Sequence, residues 1–190
     1  MKKLTPADYR SMPWKNGAGT TTEIALFPAH AGIDDFAWRV SRASVVADGG
    51  FSHFAGIDRS LALLQGSGMR LSLNGAINQV DASNNIVCFP GDIDTHATLL
   101  DGAISDFNLM SRRALCSHQL SHWTDATQRT LPEHTVLLYC AQGCGRLLTG
   151  DAELTLAQDE SVQFSSSDPV HTFTLHADSG SRFYCVQIHR

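Results

Sequence analysis

Short apolar runs, each bounded by Gly, Asp, Asn or Pro, recur along the whole chain. Runs of this kind, with alternating apolar and polar positions, are typical of β-strands separated by tight turns. Apolar residues seldom repeat at the helical spacing of about 3.6 residues, so only a turn or two of helix is predicted, over 6–12. Strands are predicted at 36–41, 61–64, 69–73, 86–89, 136–140, 153–156, 161–164, 172–175 and 183–188. The pattern indicates an all-β fold, an antiparallel sandwich or barrel.

One stretch of this pattern occurs twice. The sequence LALLQGSGMRL at 61–71 resembles LYCAQGCGRLL at 138–148, and each copy is followed by a second strand, a polar turn and a strand ending in Phe89 or Phe164. Glycine permits positive φ, so each G-x-G is predicted to form a hairpin whose second strand pairs back on the first. The repeat favours two related β-units, placed at 1–115 and 116–190. Unrelated hairpins with similar turns are the alternative.

Composition and charge narrow the class of protein. The chain has 190 residues, 43% hydrophobic and 17% charged, and can bury one substantial core or two smaller ones. A formal net charge of -5 with 14 basic residues argues against nucleic acid as a partner, because phosphates require a basic patch. No apolar run reaches the roughly 18 residues that cross a bilayer, and the start MKKLTPADYR lacks the apolar region of a secretory signal. We therefore expect a cytoplasmic protein without a membrane partner.

The segment MPWKNGAGTTTE at 12–23 concentrates groups that contact ligands. Gly17 and Gly19 allow positive φ and close approach of backbone N–H groups, while Lys15 supplies a mobile cation and Trp14 a flat apolar wall. These are the parts of a small anion site. A Walker loop is not predicted, since the order of Gly, Lys and Ser or Thr is wrong. The alternative is a glycine turn that covers one end of a sheet.

The strand, G-x-G, strand pattern is similar to the cupin barrel, whose metal-binding members carry G-x5-H-x-H-x3,4-E-x6-G and a further His. With Gly66 as the closing glycine, Arg59 falls at the position of the Glu, and Ser52 and Phe54 fall at those of the two His. His53 lies between them and on a strand would point to the opposite face. The second half offers no H-x-H, and the five cysteines include no C-x-x-C pair. Neither a metal nor another cofactor is therefore expected.

Arginine at the position of a metal-binding Glu suggests anion recognition. An Arg that projects into a barrel mouth needs a partner, because an unpaired buried charge is costly, and a carboxylate ligand can bind a guanidinium through two hydrogen bonds. The alternative is a structural ion pair of Arg59 with Asp58, Asp92 or Asp94 on the rim.

Several ordered motifs within 4–113 resemble the HutD/Ves family. They are Y-R-x-M-P-W-K-N-G-x-G-x-T-x-E-I from Tyr9, F-x-W-R-V-S-x-A from Phe36, D-G-x-F-S-x-F-x-G-x-D-R from Asp48, L-x-G-x-G-M from Leu64 and G-x-x-x-D-F-N-x-M-x-R-R from Gly102. The resemblance implies a bicupin of the RmlC-like type. Members named HutD accompany histidine-degradation genes, which implies sensing or limiting of that pathway, whereas members named Ves are associated with cold and stress responses. The chain departs from the family's K-N-G-G-G at Ala18, and its length favours the Ves type.

The resemblance and the residue chemistry together predict one ligand site in the first unit. Its polar groups and aromatic wall come from the family-like motifs: Trp14, Lys15, Asn16, Arg39, Arg59, Asp106, Asn108 and Arg112. The cations suit the carboxylate of a small anionic metabolite such as urocanate or formylglutamate. Trp38 and Phe51 either extend the aromatic wall or belong to the core. Phe107, between Asp106 and Asn108, fits a strand with one packed face and one polar face toward a pocket.

The expected function is metal-independent binding of a small carboxylate, in a regulatory role linked to histidine metabolism or stress. The alternative is a metal-independent isomerase or lyase in which Lys15 or Asp106 acts as acid or base. A protein-interaction module is a third hypothesis, and it requires an exposed apolar patch. A homodimer paired through sheet edges is an expected assembly for a cupin.

Overall fold

The computed structural model describes residues 1–14, 17–124, 128–150 and 152–190. Its strands are β1 (Lys2–Leu4), β2 (Arg10–Pro13), β3 (Gly19–Phe27), β4 (Trp38–Val45), β5 (Gly49–Gly50), β6 (Ile57–Gln65), β7 (Met69–Leu73), β8 (Ala76–Val80), β9 (Ile86–Pro90), β10 (Thr95–Leu99), β11 (Ile104–Arg112), β12 (Ser117–Thr124), β13 (Arg129–Thr130), β14 (Thr135–Gln142), β15 (Cys144–Thr149), β16 (Ala152–Ala157), β17 (Ser161–Gln163), β18 (Thr174–Ala177) and β19 (Arg182–His189). Short 3-10 turns at Pro6–Asp8 and Val170–Thr172 are the helical elements of the described residues. The predicted all-β class is confirmed.

Residues 9–117, with Arg190, form one compact unit of two antiparallel sheets. A six-stranded sheet has the order β2-β3-β4-β11-β6-β9, and a four-stranded sheet has the order β5-β10-β7-β8. Leu61 of β6, Leu71 of β7 and Ala97 of β10 are fully buried in one apolar cluster, so residues of both sheets build its core. Central strands such as β4 and β11 are buried along nearly their whole length.

Residues 1–8 and 118–189 form the second compact unit. Its sheets have the orders β1-β17-β14-β19-β12 and β13-β18-β15-β16. Leu138, Cys140, Phe183 and Cys185 belong to its apolar core and are fully buried. The division predicted between residues 115 and 116 stays a prediction; this grouping differs from it mainly in β1, which pairs with β17.

The two G-x-G turns connect different sheets, and the hairpin predicted at each of them is wrong. β6 pairs with β9 and β11 while β7 pairs with β8 and β10, and β14 and β15 are separated in the same way. Gly66 and Gly68 have φ of +94° and +107°, and a Cβ on Gly68 would lie 2.2 Å from the carbonyl oxygen of Val80. Positive φ and this close approach let the chain leave one sheet and enter the other.

The helix predicted over 6–12 is shorter than expected. It ends at Asp8, whose carboxylate accepts hydrogen bonds from the backbone N–H and hydroxyl of Thr5. From Arg10 the chain is already paired with β3 as strand β2, and that pairing prevents a further helical turn. Neither helix of the described residues has the length or apolar character required to span a lipid bilayer.

Candidate functional site

A cavity of about 520 Å³ lies in the unit formed by residues 9–117. This volume is within the range of small-molecule sites, about 300–1,000 Å³. Its walls combine aromatic, hydroxyl, amide and charged groups: Pro13, Trp14, Thr21, Arg39, Ser41, Ala43, Gly50, Phe51, Ser52, Phe54, Arg59, Asp106, Asn108 and Met110.

The register of three neighbouring strands brings the polar groups together. β11 lies between β4 and β6, and Met110 is opposite Arg39 on one side and Arg59 on the other. Asn108 and Asp106 precede Met110 at intervals of two residues, so all three side chains point to the same face of the sheet, toward the cavity. Two arginines, an amide and a carboxyl group therefore line one wall.

Arg39 already has a carboxylate partner. Its Nε lies 2.7 Å from Oε2 of Glu23, and only 7% of Arg39 is exposed. Glu23 comes from β3, where it lies opposite Ser41 of β4. The charge of Arg39 is therefore largely compensated within the protein.

Arg59 is surrounded by aromatic rings. Its guanidinium carbon lies 4.8 Å from the ring centre of Phe51, 5.2 Å from that of Phe89 and 5.9 Å from that of Phe54, and 6% of the residue is exposed. Its Nε donates to Oδ1 of Asn108 over 3.4 Å, a long hydrogen bond. Among the described residues, no carboxylate oxygen lies within ion-pairing distance of this guanidinium.

Asp106 is a buried carboxyl group with an unsatisfied oxygen. The residue is 1% exposed, and its Oδ1 has no hydrogen-bond partner among the described residues. Burial raises the pKa of Asp106 to about 7, an effect that the nearby charge of Arg59 opposes. Burial lowers the pKa of Arg59 to about 10, with Asp106 opposing this change and Arg39 adding to it. At neutral pH Arg59 is therefore charged, while Asp106 is close to the midpoint of its titration.

A match to known proteins decides the family. The sequence profile of the HutD family matches residues 6–184. The chain belongs to the HutD family. An uncharacterized 21.2 kDa protein in the hutC 3′ region of Pseudomonas putida is 40% identical over 142 residues, 74% of each chain. Protein Ves of Citrobacter koseri is 36% identical over 155 residues, which are 80% of this chain and 78% of Ves. The predicted HutD/Ves membership is confirmed.

Solved structures agree with this family assignment. A conserved protein of unknown function from Pseudomonas aeruginosa has a TM-score of 0.89 at 34% identity, covering 100% of this chain and 98% of that one. HutD from Pseudomonas fluorescens has a TM-score of 0.81 at 27% identity, covering 99% and 97%. A cupin 2 conserved barrel domain protein from Leptotrichia buccalis, with a TM-score of 0.59 at 7% identity over 94% and 96%, supports a cupin-like fold.

In this HutD-family protein, five of the eight predicted ligand-binding residues line the cavity. They are Trp14, Arg39, Arg59, Asp106 and Asn108. Arg112 is not brought to this cavity, because its side chain donates hydrogen bonds to the backbone carbonyl oxygens of Phe36 and Asp34. The remaining two predicted residues, Lys15 and Asn16, lie outside the described residues.

The aromatic wall is partly as predicted. Trp14 lines the cavity and its Nε1 donates to the hydroxyl of Thr21 over 2.8 Å. Phe51 also lines it, whereas Trp38 is absent from the described cavity wall and stacks on Phe27 with ring centres 6.2 Å apart. Phe107 is fully buried between its two cavity-lining neighbours, as strand alternation predicts.

The positions that match the metal motif of cupins converge on the cavity. Ser52, Phe54 and Arg59 all line it, whereas His53 is exposed and its Nε2 lies 3.0 Å from the carbonyl oxygen of Asp92. In the described residues no group of three or more His, Cys, Asp or Glu side chains could hold a metal ion.

The alternative pairing of Arg59 with rim aspartates is wrong. Asp58 and Asp92 instead pair with Arg113, at 2.8 Å and 3.2 Å. The reason is geometric, because Arg59 points to the buried face of β6 while Asp58, the preceding residue, points to the other face.

Sequence reasoning missed Glu23, Thr21 and Ser41. Glu23 and Thr21 belong to the 12–23 segment, which is predicted to contact a ligand through Trp14, Lys15 and its glycines; both residues lie on β3. Ser41 lies two residues after Arg39 on β4, so strand alternation could have placed both on the cavity wall.

Proposed function

We propose that this HutD-family protein is a metal-independent bicupin that binds a small carboxylate, such as a urocanate- or formylglutamate-like metabolite, in the cavity of residues 9–117. The observation that carries this proposal is Arg59, a buried cation on the cavity wall with no carboxylate partner among the described residues. Buried charges are normally paired, because leaving water without compensation is costly. A carboxylate ligand supplies the missing partner.

The surroundings of Arg59 suit this role. The rings of Phe51, Phe54 and Phe89 hold the guanidinium, and no described residue accepts a hydrogen bond from its two terminal nitrogens. Those nitrogens can donate to both oxygens of a carboxylate in a bidentate pair. Trp14 supplies a flat apolar surface on the same cavity for the rest of a planar ligand.

The biological role that fits a bound but unreacted ligand is sensing or sequestration. One relative lies in a hutC 3′ region and another is named Ves, so the proposed role is regulation of histidine utilisation or of a stress response. Under this proposal the ligand occupies the cavity reversibly and is released unchanged.

A metal-independent isomerase or lyase is the second candidate, and Asp106 is the observation that favours it. A carboxyl group with a pKa raised to about 7 by burial can both donate and accept a proton near neutral pH. Its position on the cavity wall puts it within reach of a bound carboxylate.

Isothermal titration of urocanate and N-formylglutamate tests the proposal. We expect saturable binding, and in Arg59→Met a loss of affinity of roughly 10- to 100-fold, because hydrogen bonds to a charged group are lost while an unbranched apolar stem is kept. Arg112→Met is the matched control, since Arg112 lies away from the described cavity wall, and it should bind as the wild type does. Equal loss in both variants, or unchanged binding in Arg59→Met, contradicts the proposal.

The same samples separate binding from catalysis and from metal chemistry. Chromatography of the ligand after long incubation should recover it unchanged for a sensor, whereas conversion that stops in Asp106→Asn favours the enzyme. Elemental analysis of the purified protein should find no stoichiometric first-row metal. A full complement of bound iron, manganese or zinc contradicts metal independence.

A further inference from the structure

Asp106 carries a carboxyl group whose ionised form is poorly stabilised by its surroundings. The residue belongs to the cavity wall but is only 1% exposed, and its Oδ1 is buried with no hydrogen-bond donor among the described residues. Directly opposite it on the two flanking strands lie Ala43 and Leu63, whose side chains have no donor to offer. A buried carboxylate without such hydrogen bonds favours its neutral, protonated form.

Few charged groups surround Asp106 in the described part of this unit. On the same face of its sheet lie Arg59 of β6, Arg39 of β4, Glu23 of β3 and, at the exposed edge, Arg10 of β2. The facing sheet turns uncharged side chains toward this interior: Met69, Leu71, Thr95 and Ala97. The 50–54 segment adds uncharged residues to the cavity wall, while the imidazole of His53 is exposed. The protonation of Asp106 therefore depends on its burial and on the nearby arginines.

Arg59 is the cation that acts on Asp106. The charge of Arg39 is compensated by Glu23, whose Oε2 lies 2.7 Å from its Nε. Arg59 has no carboxylate within ion-pairing distance in the described residues, and its charge acts on Asp106 through space. Burial raises the pKa of Asp106 to about 7, and the positive charge of Arg59 opposes that rise. Part of the Asp106 population is therefore ionised at neutral pH because Arg59 is charged and unpaired.

A carboxylate bound to Arg59 changes this condition. It neutralises the charge that favours ionised Asp106, and it brings a second negative charge into the same poorly screened interior. We propose that binding of a carboxylate at Arg59 is coupled to the uptake of one proton from solvent by the Asp106 carboxylate, which is neutral in the complex. The coupling rests on the proposed function and makes Asp106 a positioning residue, which acts through Arg59 without touching the ligand.

The coupling gives ligand affinity a defined pH dependence. Linkage is reciprocal, so a ligand that strengthens proton binding is itself bound more tightly where protons are available. Affinity is therefore highest below about pH 7, where Asp106 is already neutral, and it falls as pH rises through the pKa of Asp106 in the free protein. If the ligand raises that pKa by about one unit, the whole fall in affinity is about tenfold. A proton reaches the buried oxygen through local opening motions, which are fast compared with a titration.

Calorimetric titration with N-formylglutamate from pH 6 to 9 tests the coupling, because both carboxylates of this compound stay ionised over that range. Repeating the titration at pH 7.5 in phosphate and in Tris, whose ionisation enthalpies differ, counts the protons taken up. The wild type should bind roughly 3- to 10-fold more tightly at pH 6 than at pH 9 and take up about half a proton at pH 7.5. Asp106→Asn should bind with the same affinity at every pH and take up none. His53→Gln, which removes an exposed imidazole beside the cavity-lining Ser52 and Phe54, should behave as the wild type does.

The outcomes separate proton coupling from carboxylate binding. Binding to the wild type without proton uptake overturns the coupling and leaves the proposed function intact. Uptake that persists in Asp106→Asn, or disappears in His53→Gln, assigns the proton to another group and also overturns it. If only urocanate binds, it replaces N-formylglutamate, and the difference between the wild type and Asp106→Asn removes the contribution of its own imidazole. If neither compound binds at any pH, the coupling and the proposed function fail together.

An infrared measurement on the wild type needs no substitution at Asp106. With the carboxyl carbons of aspartate isotopically labelled, ligand addition at pH 7.5 should increase the band of a protonated carboxyl group. No increase in a sample that binds the ligand contradicts the coupling, even if Asp106→Asn does not fold.

Discussion

In the unit of residues 9–117, β11 carries Asp106 and Asn108 to the wall of a cavity, whereas in the other unit β19 carries Phe183 and Cys185 into the apolar core. The two strands occupy comparable places. Each lies beside the strand that leads into a G-x-G turn, β6 in one unit and β14 in the other. Similar strand pairings therefore place polar side chains on a cavity wall in one unit and apolar side chains in the core of the other.

The registers of the β6–β11 and β14–β19 pairings show which residues of the two units occupy comparable positions. Leu63 lies opposite Asp106, and Cys140 lies opposite Phe183. Both pairings contain a register shift next to these residues, between Ser105 and Asp106 in one and at the Cys140 end of the other. The strand arrangement thus tolerates either a large apolar side chain or a carboxyl group at this position. At this position one unit gains stability from close packing, and the other gives up part of it to place a carboxyl group on the wall of the cavity.

The largest expected effect is a loss of stability when a large side chain is removed from the apolar core of the second unit. Phe183→Ala removes a fully buried ring and should lower the free energy of unfolding by about 3–5 kcal/mol, measured by chemical denaturation. Asp106→Ala, at the comparable place beside the cavity, should cost less than half as much. Equal losses in the two variants contradict the distinction between a packed and a binding interior.

A Gly→Ala substitution in either G-x-G turn should destabilise the protein to a similar extent, because each unit uses such a turn to pass from one sheet to the other. Gly66→Ala and Gly143→Ala place a side chain at φ of +94° and +73°, with Cβ only 2.8 Å from the carbonyl oxygen of Ala103 and 2.3 Å from the hydroxyl of Ser181. Each should lower the free energy of unfolding by about 1–3 kcal/mol. Gly49→Ala, a position with nothing within 4 Å, is the control and should change stability little. A neutral effect at either turn argues against the shared architecture.

The pH dependence of stability should differ between the wild type and Asp106→Asn. Asp106 has a pKa of about 7 when folded, against about 4 when unfolded. The folded state therefore holds more protons between these values, and this group contributes stability at low pH that is lost as pH rises through about 7. Thermal melts from pH 5 to 8 should show a smaller decline in Asp106→Asn. Ser41→Ala changes the same wall without a titratable group and should keep the wild-type slope; identical slopes in all three proteins refute the assignment.

The smallest expected effect is a change in ligand affinity on substitution of Glu23, whose carboxylate compensates the charge of Arg39. Glu23→Gln removes that compensation and should tighten binding of glutarate by roughly 2- to 10-fold, measured by calorimetry. Glu153→Gln removes a carboxylate 3.8 Å from exposed Arg146 in the packed unit and should leave the affinity unchanged. Weaker binding in Glu23→Gln indicates that Glu23 positions Arg39 for the ligand.

The all-β class follows from local pattern, whereas the sheet assignments do not. The run at 69–73 coincides with β7, because alternating apolar residues and flanking glycines define it locally. The G-x-G turn before it was expected to close a hairpin. Positive φ is needed equally for a turn within a sheet and for a turn between sheets, and only the distant pairing of β6 with β11 decides between them.

The residues of the candidate cavity wall could be predicted only in part, for a similar reason. Arg39, Arg59 and Asp106 stand in motifs whose chemistry is visible in the sequence, and the strands bring them together. Arg112 has the same strand parity as Asp106, so alternation alone cannot exclude it. It lies at the end of β11, where carbonyl oxygens of the 34–36 segment bind its guanidinium, and that contact depends on the folded chain.

The rings of Phe51, Phe54 and Phe89 have one more consequence for Arg59. Hydrocarbon on several sides screens a cation poorly, so its field reaches farther across the open volume than that of a hydrated surface arginine. An anion entering the pocket is attracted before it makes contact. Exchanging a single benzene ring for a small side chain would admit solvent and weaken this long-range attraction, although every charge would stay in place.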